Sequence, residues 1–259
     1  RNLGPGPDGA IDGIGKNIAS GSLKAVALSA SSYTTGQSMT WVQARNPALW
    51  SRPQRRSAAA QLTVEHVMAS SALPMLFPAV RVGGEWYGDG GIRLTSPLSP
   101  ALHLGATRIL NISTRKQRTV AEAGAPQTPG YPPPAQVLGA LYNSVFLDLI
   151  DEDIARAQTV NRLVESLPDE QRNGLRLVDV MVIRPSRDLG RLASEFEVRL
   201  PPLIKYLTRG LGTKETASPD LLSLILFQED YIRRLIAIGE EDGEAHAEGL
   251  QAFAAMGGR

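Results

Sequence analysis

The sequence contains no cysteine, and its other scarcities also narrow the possible functions. Without cysteine there are no disulfides, no thiol nucleophile and no cysteine-ligated metal. The three histidines, His66, His103 and His246, lie far apart and lack metal-ligand spacing. A net charge of +1 gives no reason to expect a nucleic-acid partner. The longest apolar run, residues 221–227, is interrupted by Ser223 and is far too short to span a bilayer.

Hydrophobic residues nevertheless make up 42% of the 259 residues. This is enough for the core of one large α/β domain, or of one domain with an appendage. The first residue is Arg1, and no targeting segment follows it. We therefore expect part of a longer, cytoplasmic protein whose contact with a membrane is at most peripheral.

Apolar and alternating runs in the first half predict a sheet with helices on its faces. Residues 23–33 and 38–42 flank a turn at residues 34–37 and predict a hairpin. The other predicted elements are a helix over 63–72 with Thr63 as its N-cap, a helix over 100–104 closed by Gly105, and a strand over 108–113. Strand, helix, glycine and strand in this order are typical of a parallel sheet.

A second predicted hairpin leads to one carboxylate framed by glycines. Val80–Val82 and Glu85–Tyr87 flank Gly83-Gly84, and a tight hairpin turn needs the positive φ that glycine adopts readily. The second strand runs into Gly88-Asp89-Gly90-Gly91. A carboxylate without bulky neighbours is accessible to a ligand or to another backbone, as an acid/base residue must be.

Asp89 has an equally simple structural interpretation, because Asp-Gly is a common turn dipeptide. Asp8-Gly9, Asp12-Gly13 and Asp242-Gly243 occur in the same chain, and all three are predicted to be turns. The local sequence therefore leaves two interpretations of Asp89 open, a functional carboxylate and a turn.

No serine in the chain has the surroundings of an activated nucleophile. The strand-to-helix motif Gly-x-Ser-x-Gly, which exposes a serine hydroxyl on a strained turn, is absent. Ser20-Gly21-Ser22 lacks the second glycine and precedes a strand, and Ser70 and Ser71 fall within a predicted helix. Phosphate-binding loops and His-Glu-x-x-His helices are also absent. The residues alone thus offer one candidate carboxylate and nothing for it to activate.

Several small motifs, taken in order, resemble the C-terminal half of the patatin-like phospholipase domain. The resemblance covers roughly residues 20–115, and its specificity comes from the order and separation of the motifs. They are the hairpin with Thr35-Gly36 and Thr40, then Ala69–Pro78, Tyr87–Gly91, Pro97, Ala101, Leu104–Ala106 and Arg108–Ile112.

The resemblance implies an acyl hydrolase of bacterial type that acts on a lipid or acyl ester through a Ser–Asp dyad without histidine. Asp89, in the Asp-Gly-Gly motif with Gly90 and Gly91, would be the general base toward the serine and then the acid toward the leaving group. A carboxylate in that role should be partly desolvated, and glycines 88, 90 and 91 would let the serine elbow approach. The implied fold is an α/β/α sandwich with a mainly parallel central sheet. No cofactor and no metal are implied.

The chain departs from the family pattern at its beginning. The oxyanion loop and the serine elbow of the family precede everything matched here, so the nucleophile is not in this chain. We therefore expect the chain to be inactive by itself. An alternative is a non-catalytic fragment or pseudoenzyme that serves as an interaction or lipid-binding module, and a further one is that Asp89 only shapes a turn.

Composition divides the chain into three parts. Residues 1–121 would be the C-terminal portion of the catalytic domain, residues 122–134 a connector rich in proline and glycine, and residues 135–259 a mainly helical region. Within that last region the sequence predicts helices over 135–167, 189–195, 203–208, 219–238 and 241–256, and one strand over 175–183 that could return to the first sheet.

Two further segments have open interpretations. Arg45, Arg52, Arg55 and Arg56 surround Trp50 and would either meet a phosphate or anionic lipid headgroup or form a solvated loop. The predicted helix over 219–238 is apolar around much of its circumference, which indicates burial against the body or a partner subunit, or else a lipid-facing surface. The sequence gives no oligomeric state.

Overall fold

The computed structural model describes residues 9–94, 96–117, 149–196 and 226–255, together with residue 137 and residues 222–224. The chain forms two compact units, one made of residues 1–107 and 149–159, the other of residues 108–148 and 160–259. The predicted connector over 122–134 and the predicted helix over 203–208 lie outside the described residues.

The first unit is built on a six-stranded sheet in the order β3-β4-β2-β1-β6-β5. Its elements are α1 (Ile14–Ser20), β1 (Ala25–Ser32), β2 (Ser38–Ala44), β3 (Ser51–Arg52), β4 (Arg55–Ala59), α2 (Val64–Ser70), β5 (Val80–Val82), β6 (Glu85–Asp89), a 3₁₀ turn (Gly90–Ile92) and α3 (Ser99–His103). Both predicted hairpins, β1–β2 and β5–β6, are confirmed. Gly83 and Gly84 have φ values of 56° and 91°, as their tight turn requires.

The α/β class is confirmed, and the fold is consistent with an α/β/α sandwich that continues into a helical C-terminal region. The strand directions correct one part of the prediction. Between the described strands of the first sheet only β2 and β4 are parallel, and the other four pairings are antiparallel. Three of the antiparallel pairs, β1–β2, β3–β4 and β5–β6, are hairpins whose short turns must reverse the strand direction, whereas the β1–β6 pair joins strands that are far apart in the sequence.

The core of the first unit lies on one face of this sheet. Leu28 and Ala30 of β1 stand opposite Trp41 and Met39 of β2, and the alternation of the strands sends all four side chains to the same side. Tyr87 of β6 meets Trp41 edge to face with ring centroids 4.8 Å apart. Complete burial of side chains of this size contributes about 1.5–3 kcal/mol each, so this cluster holds β1, β2 and β6 together.

Helix α2 begins at a capping box that uses an unusual partner. The Thr63 side chain caps the helix, as predicted, and Nδ1 of His66 accepts the Thr63 backbone N–H at 3.1 Å. The imidazole thus takes the place that Glu or Gln usually has three residues after the cap. His66 also packs edge-on against Trp41 at 4.7 Å, which fixes the start of α2 on the core.

The second unit contains a parallel two-stranded sheet and several helices. Its elements are β7 (Arg108–Ile112), β8 (Asp179–Ile183), α5 (Leu189–Ser194), α6 (Glu229–Ala245) and α7 (Ala247–Ala255), while α4 (Leu149–Glu165) contributes residues to both units. Leu192, Leu226, Tyr231 and Ile238 form its buried cluster. Within the described residues no helix has the length and apolar character needed to span a membrane.

Three predictions for this unit need correction. The strand over 175–183 shortens to β8, which pairs with β7, because the Asn161 side chain takes both the N–H and the carbonyl of Val178. The helix over 219–238 is interrupted, since residues 226–228 are not helical and α6 begins at Glu229. Asp242-Gly243 lies inside α6 rather than in a turn, because the buried Asp242 carboxylate accepts the Ser186 N–H at 3.0 Å.

Candidate functional site

Asp89 is the last residue of β6, where three elements converge. It pairs with Ala30 of β1, and its N–H donates to the Ala72 carbonyl just after α2 at 2.9 Å. Its side-chain Oδ1 accepts the Gly91 N–H at 2.7 Å, which starts the 3₁₀ turn. Among the described residues no group donates a hydrogen bond to Oδ2. One carboxylate oxygen is therefore fixed in place, and the other can accept a proton.

The electrostatics of Asp89 favour the protonated form more than those of a surface aspartate. Burial raises the pKa of the Asp89 carboxyl, and the hydrogen bond from Gly91 opposes that rise. The role that the family resemblance implies for Asp89 calls for such partial desolvation. The nearby Tyr33 phenol responds in the same direction, since burial and the Asp89 charge both raise its pKa. A carboxylate with a raised pKa is a stronger base once it ionises.

The glycines beside Asp89 are required by neighbours from the same chain. A Cβ at Gly90 would collide with the backbone carbonyl of Ser29, and a Cβ at Gly88 would collide with the Tyr33 ring. The resemblance to the patatin-like domain implied that glycines 88, 90 and 91 would let a serine elbow approach. At positions 88 and 90 this space is instead filled by Tyr33 and by the Ser29 carbonyl. Because Gly88 and Gly90 have no side chains, β6 can lie directly against β1.

An apolar groove adjoins the Asp-Gly-Gly turn. It has a volume of about 480 Å³, within the range usual for small-molecule sites. Residues of β1, the 3₁₀ turn and the segment leading into α3 line it, namely Ala27, Leu28, Ser29, Gly90, Gly91, Leu94, Pro97, Pro100, Ala101 and Leu104, together with Ser70. The α3 side is held firmly, because the buried Asp153 carboxylate accepts the Ser96 hydroxyl at 2.7 Å and the Leu98 N–H at 2.9 Å.

Neither serine of the groove is arranged as a nucleophile. The Ser70 hydroxyl donates to the Ser29 carbonyl at 2.7 Å, and the Ser29 hydroxyl is hydrogen-bonded to Thr40 at 3.0 Å. Ser70 is the last residue of an α-helix, which confirms the expectation that no strained elbow forms there. Within the described residues, no group of His, Asp and Glu side chains could hold a metal ion.

Tyr33 and Ser29 lie close to the Asp89 segment, and neither contact was predicted from the sequence. Ser29 lies in β1 and Tyr33 directly follows that strand. They contact the Asp89 segment only because β1 pairs with β6, which is distant in the sequence. The available signal was the glycine at position 88 in a strand, since an aromatic side chain from a neighbouring strand often covers such a glycine.

The geometry defines an α/β domain with a partly desolvated aspartate beside an apolar groove, an arrangement suited to acid/base chemistry on an apolar substrate. The family model described as patatin-like phospholipase matches residues 23–102, from the start of β1 into α3. This part of the chain, which holds Asp89 and most of the groove, is thus similar to the patatin-like phospholipase domain, and that family in general is one of lipid acyl hydrolases. No curated protein matches the chain.

Proposed function

We propose that this chain carries the aspartate half of a lipid acyl hydrolase with a Ser–Asp dyad. The observation that supports it most is the state of Asp89, with one oxygen fixed by Gly91, a raised pKa, and an apolar groove alongside, all inside the family-matched stretch. The apolar lining suits an acyl chain, and we place the protein in the cytoplasm with peripheral access to lipid.

The chemistry assigned to Asp89 is proton transfer in both steps. Its ionised carboxylate accepts the proton of a serine hydroxyl while the serine oxygen bonds to the acyl carbon of the ester. The same proton then passes to the departing alcohol, which leaves an acyl-enzyme. Water attacks that ester, Asp89 takes the proton of the water, and the proton returns to the serine as the fatty acid leaves. The serine is supplied by sequence outside these 259 residues.

The test uses the protein encoded by the complete reading frame and a p-nitrophenyl acyl ester. Asp89→Asn keeps the shape of the side chain and the oxygen that binds Gly91, but it cannot act as a base. We expect kcat/KM to fall about 10²- to 10⁴-fold. Asp12→Asn is the matched control, because Asp12 also precedes a glycine but is exposed.

Retained activity in Asp89→Asn would show that Asp89 only shapes the turn. A complete reading frame without Gly-x-Ser-x-Gly would favour the alternative, a non-catalytic module that binds lipid or another protein. Loss of activity in Asp89→Asn with full activity in Asp12→Asn supports the dyad.

A further inference from the structure

Two aromatic side chains are half exposed on the face of β6 that points away from the core of the first unit. Trp86 of β6 is 50% exposed, and Tyr33, which directly follows β1, is 49% exposed. Trp86 points away from the core because its neighbour in the strand, Tyr87, is buried in it. The Tyr33 ring lies on the same face as Trp86, since it fills the space where a Cβ of Gly88 would stand.

The backbone holds both aromatic residues in fixed positions. The Tyr33 N–H donates to the Trp86 carbonyl at 2.8 Å, and the Trp86 N–H donates to the Thr34 hydroxyl at 3.0 Å. Large aromatic side chains that a rigid sheet keeps half exposed are typical of a surface that another body covers. Little conformational entropy is lost when a surface of this kind docks.

Arg81 adds a positive charge to this face. It stands directly opposite Trp86 in the β5–β6 hairpin, so the two side chains point to the same side of the sheet. Glu85, next to Trp86 along the chain, points to the opposite side and forms an ion pair with Arg56 at 2.8 Å. Among the described residues, the exposed Arg81 guanidinium makes no ion pair and no hydrogen bond.

A second guanidinium group, that of Arg93, reaches the turn that follows Tyr33. Its Nη2 would lie 3.7 Å from a Cβ added at Gly36, three residues after Tyr33. Arg93 is exposed, and within the described part of the chain its guanidinium also has neither a carboxylate nor a hydrogen-bond acceptor. We call Tyr33, Trp86, Arg81 and Arg93 together the Trp86 patch.

The Trp86 patch lies beside the candidate site. Gly90, which lines the apolar groove, is two residues beyond Gly88, where the Tyr33 ring packs. Burial raises the pKa of Tyr33 most, and the Asp89 charge raises it further, so the candidate base is within electrostatic range of the phenol. A body that covers the patch would therefore also adjoin the groove.

We propose that the Trp86 patch docks this chain on an anionic lipid membrane, with its two aromatic rings in the interface and its two guanidinium groups on lipid phosphates. Trp and Tyr have an apolar body and a polar tip, which suits the boundary between acyl chains and headgroups. Arginine offers paired N–H donors that match phosphate oxygens, and an anionic surface attracts it.

The charges favour a membrane over a second copy of the chain. A symmetric dimer through this patch would bring the same surface of both copies together, and with it four guanidinium groups that repel each other. The inference rests on the proposed function for its substrate, because a lipid hydrolase needs its groove next to the membrane. It goes beyond that function by naming the surface that docks.

Co-sedimentation of the purified 259-residue chain with vesicles tests the proposal. We expect saturable binding to vesicles of phosphatidylglycerol and phosphatidylcholine, and weaker binding to phosphatidylcholine alone. Arg81→Gln and Arg93→Gln should each weaken binding to the anionic vesicles about 5-fold. Trp86→Gln should weaken it about 10-fold, since half of a large aromatic side chain then loses its apolar burial.

Two matched controls lie outside the patch. Arg52→Gln removes the same charge from an exposed arginine of β3, at the opposite edge of the sheet. Leu49→Gln removes an apolar side chain that is 50% exposed, as Trp86 is. Both controls should bind anionic vesicles as the wild type does, and far-UV circular dichroism of every variant checks that its fold is retained.

Quenching of tryptophan fluorescence by brominated phosphatidylcholine in the anionic vesicles locates the contact. Trp41 is buried in the core and Trp50 is stacked on His103, whereas Trp86 is half exposed in the patch. We expect vesicle-bound protein to show quenching that Trp86→Phe abolishes. Phenylalanine keeps an aromatic ring at this position, so the variant should still sediment with the vesicles.

The proposal is overturned if the chain does not bind anionic vesicles, or if the two control substitutions weaken binding as much as those in the patch. Quenching that persists in Trp86→Phe would place the contact elsewhere and also overturn it. So would a concentration-dependent dimer that Trp86→Gln dissociates, seen by sedimentation velocity without vesicle binding, since a second copy would then cover the patch. None of these measurements uses hydrolysis, so membrane docking and the dyad can fail separately.

Discussion

The two oxygens of the Asp89 carboxylate have different surroundings, and this difference is the most informative feature at the scale of single residues. Oδ1 is held by the Gly91 N–H, while burial raises the pKa of the group. A carboxyl whose pKa is higher in the folded than in the unfolded state destabilises the fold when it ionises, because the folded protein binds the proton more tightly. The ionised carboxylate that the proposed dyad needs as its base is therefore maintained at a cost in stability.

Asp89→Asn should accordingly stabilise the first unit at neutral pH. The folded-state pKa lies above the ordinary value of 3.8, so wild-type stability falls as the pH rises through the folded-state pKa and remains reduced at pH 7. The neutral amide avoids this loss. We expect a higher Tm for the variant at pH 7 and a gain that shrinks as the pH falls toward 3.8. A gain that is equal at both pH values, or a loss at pH 7, would contradict this account.

Gly90 should be intolerant of even one added carbon. A Cβ at this position would collide with the backbone carbonyl of Ser29, which cannot move without breaking the contact of β1 with β6. We expect Gly90→Ala to lower the free energy of unfolding by about 1–3 kcal/mol, measured by urea denaturation. Gly15→Ala in α1 is the control, with an expected gain of about 0.5–1 kcal/mol, because its Cβ meets only an ordinary contact. Equal effects of the two substitutions would remove the steric argument.

At the scale of elements, helix α2 depends on a titratable cap. His66 is buried and accepts the Thr63 N–H through Nδ1, which must be unprotonated to do so. Burial lowers the pKa of His66 below its ordinary value of 6.5, and the Glu65 charge opposes this only in part. Below pH 6.5 the unfolded chain takes up the proton more readily than the folded one, so the stability contributed through His66 is lost as the pH falls.

His66→Gln should remove this dependence on pH. Glutamine at the third helical position can accept the same N–H but does not titrate between pH 5 and 8. Urea unfolding followed by tryptophan fluorescence suits the test, because Trp41, Trp50 and Trp86 all lie in the first unit. We expect the loss of stability between pH 7.5 and pH 5.5 to be smaller in the variant than in the wild type. Identical pH slopes would show that the imidazole does not titrate in the cap.

At the scale of the whole molecule, the family-matched part of the chain covers the six-stranded sheet and the candidate site but lacks a serine elbow. The serines beside the groove are bound to backbone or to threonine. We therefore predict that a fluorophosphonate probe leaves the 259-residue chain unlabelled and that the chain does not hydrolyse p-nitrophenyl esters. Heat-denatured chain gives the background. Labelling of Ser70 that depends on the folded state would contradict the assignment of the nucleophile to sequence outside the chain.

Local patterns explain how much of this molecule could be predicted from its sequence. The turns at residues 34–37 and at Gly83-Gly84 set both hairpins, and the Thr63 cap and Gly105 set the helix ends, because each depends on residues a few positions apart. The turn predicted at Asp242-Gly243 was wrong, because a hydrogen bond from the distant Ser186 N–H to the Asp242 carboxylate keeps this dipeptide within a helix. Strand direction was also mispredicted, since it depends on which strands become neighbours.

The two hairpins, the candidate carboxylate and the resemblance to the patatin-like phospholipase domain follow from the sequence alone, because short motifs in a fixed order carry them. The surroundings of Asp89, in contrast, follow only from how the chain folds. The pairing of β1 with β6 joins residues more than fifty positions apart, and it places Ser29 and Tyr33 against the glycines and buries the carboxylate enough to raise its pKa. Desolvation is a property of this non-local packing, and no pattern along the chain encodes it directly.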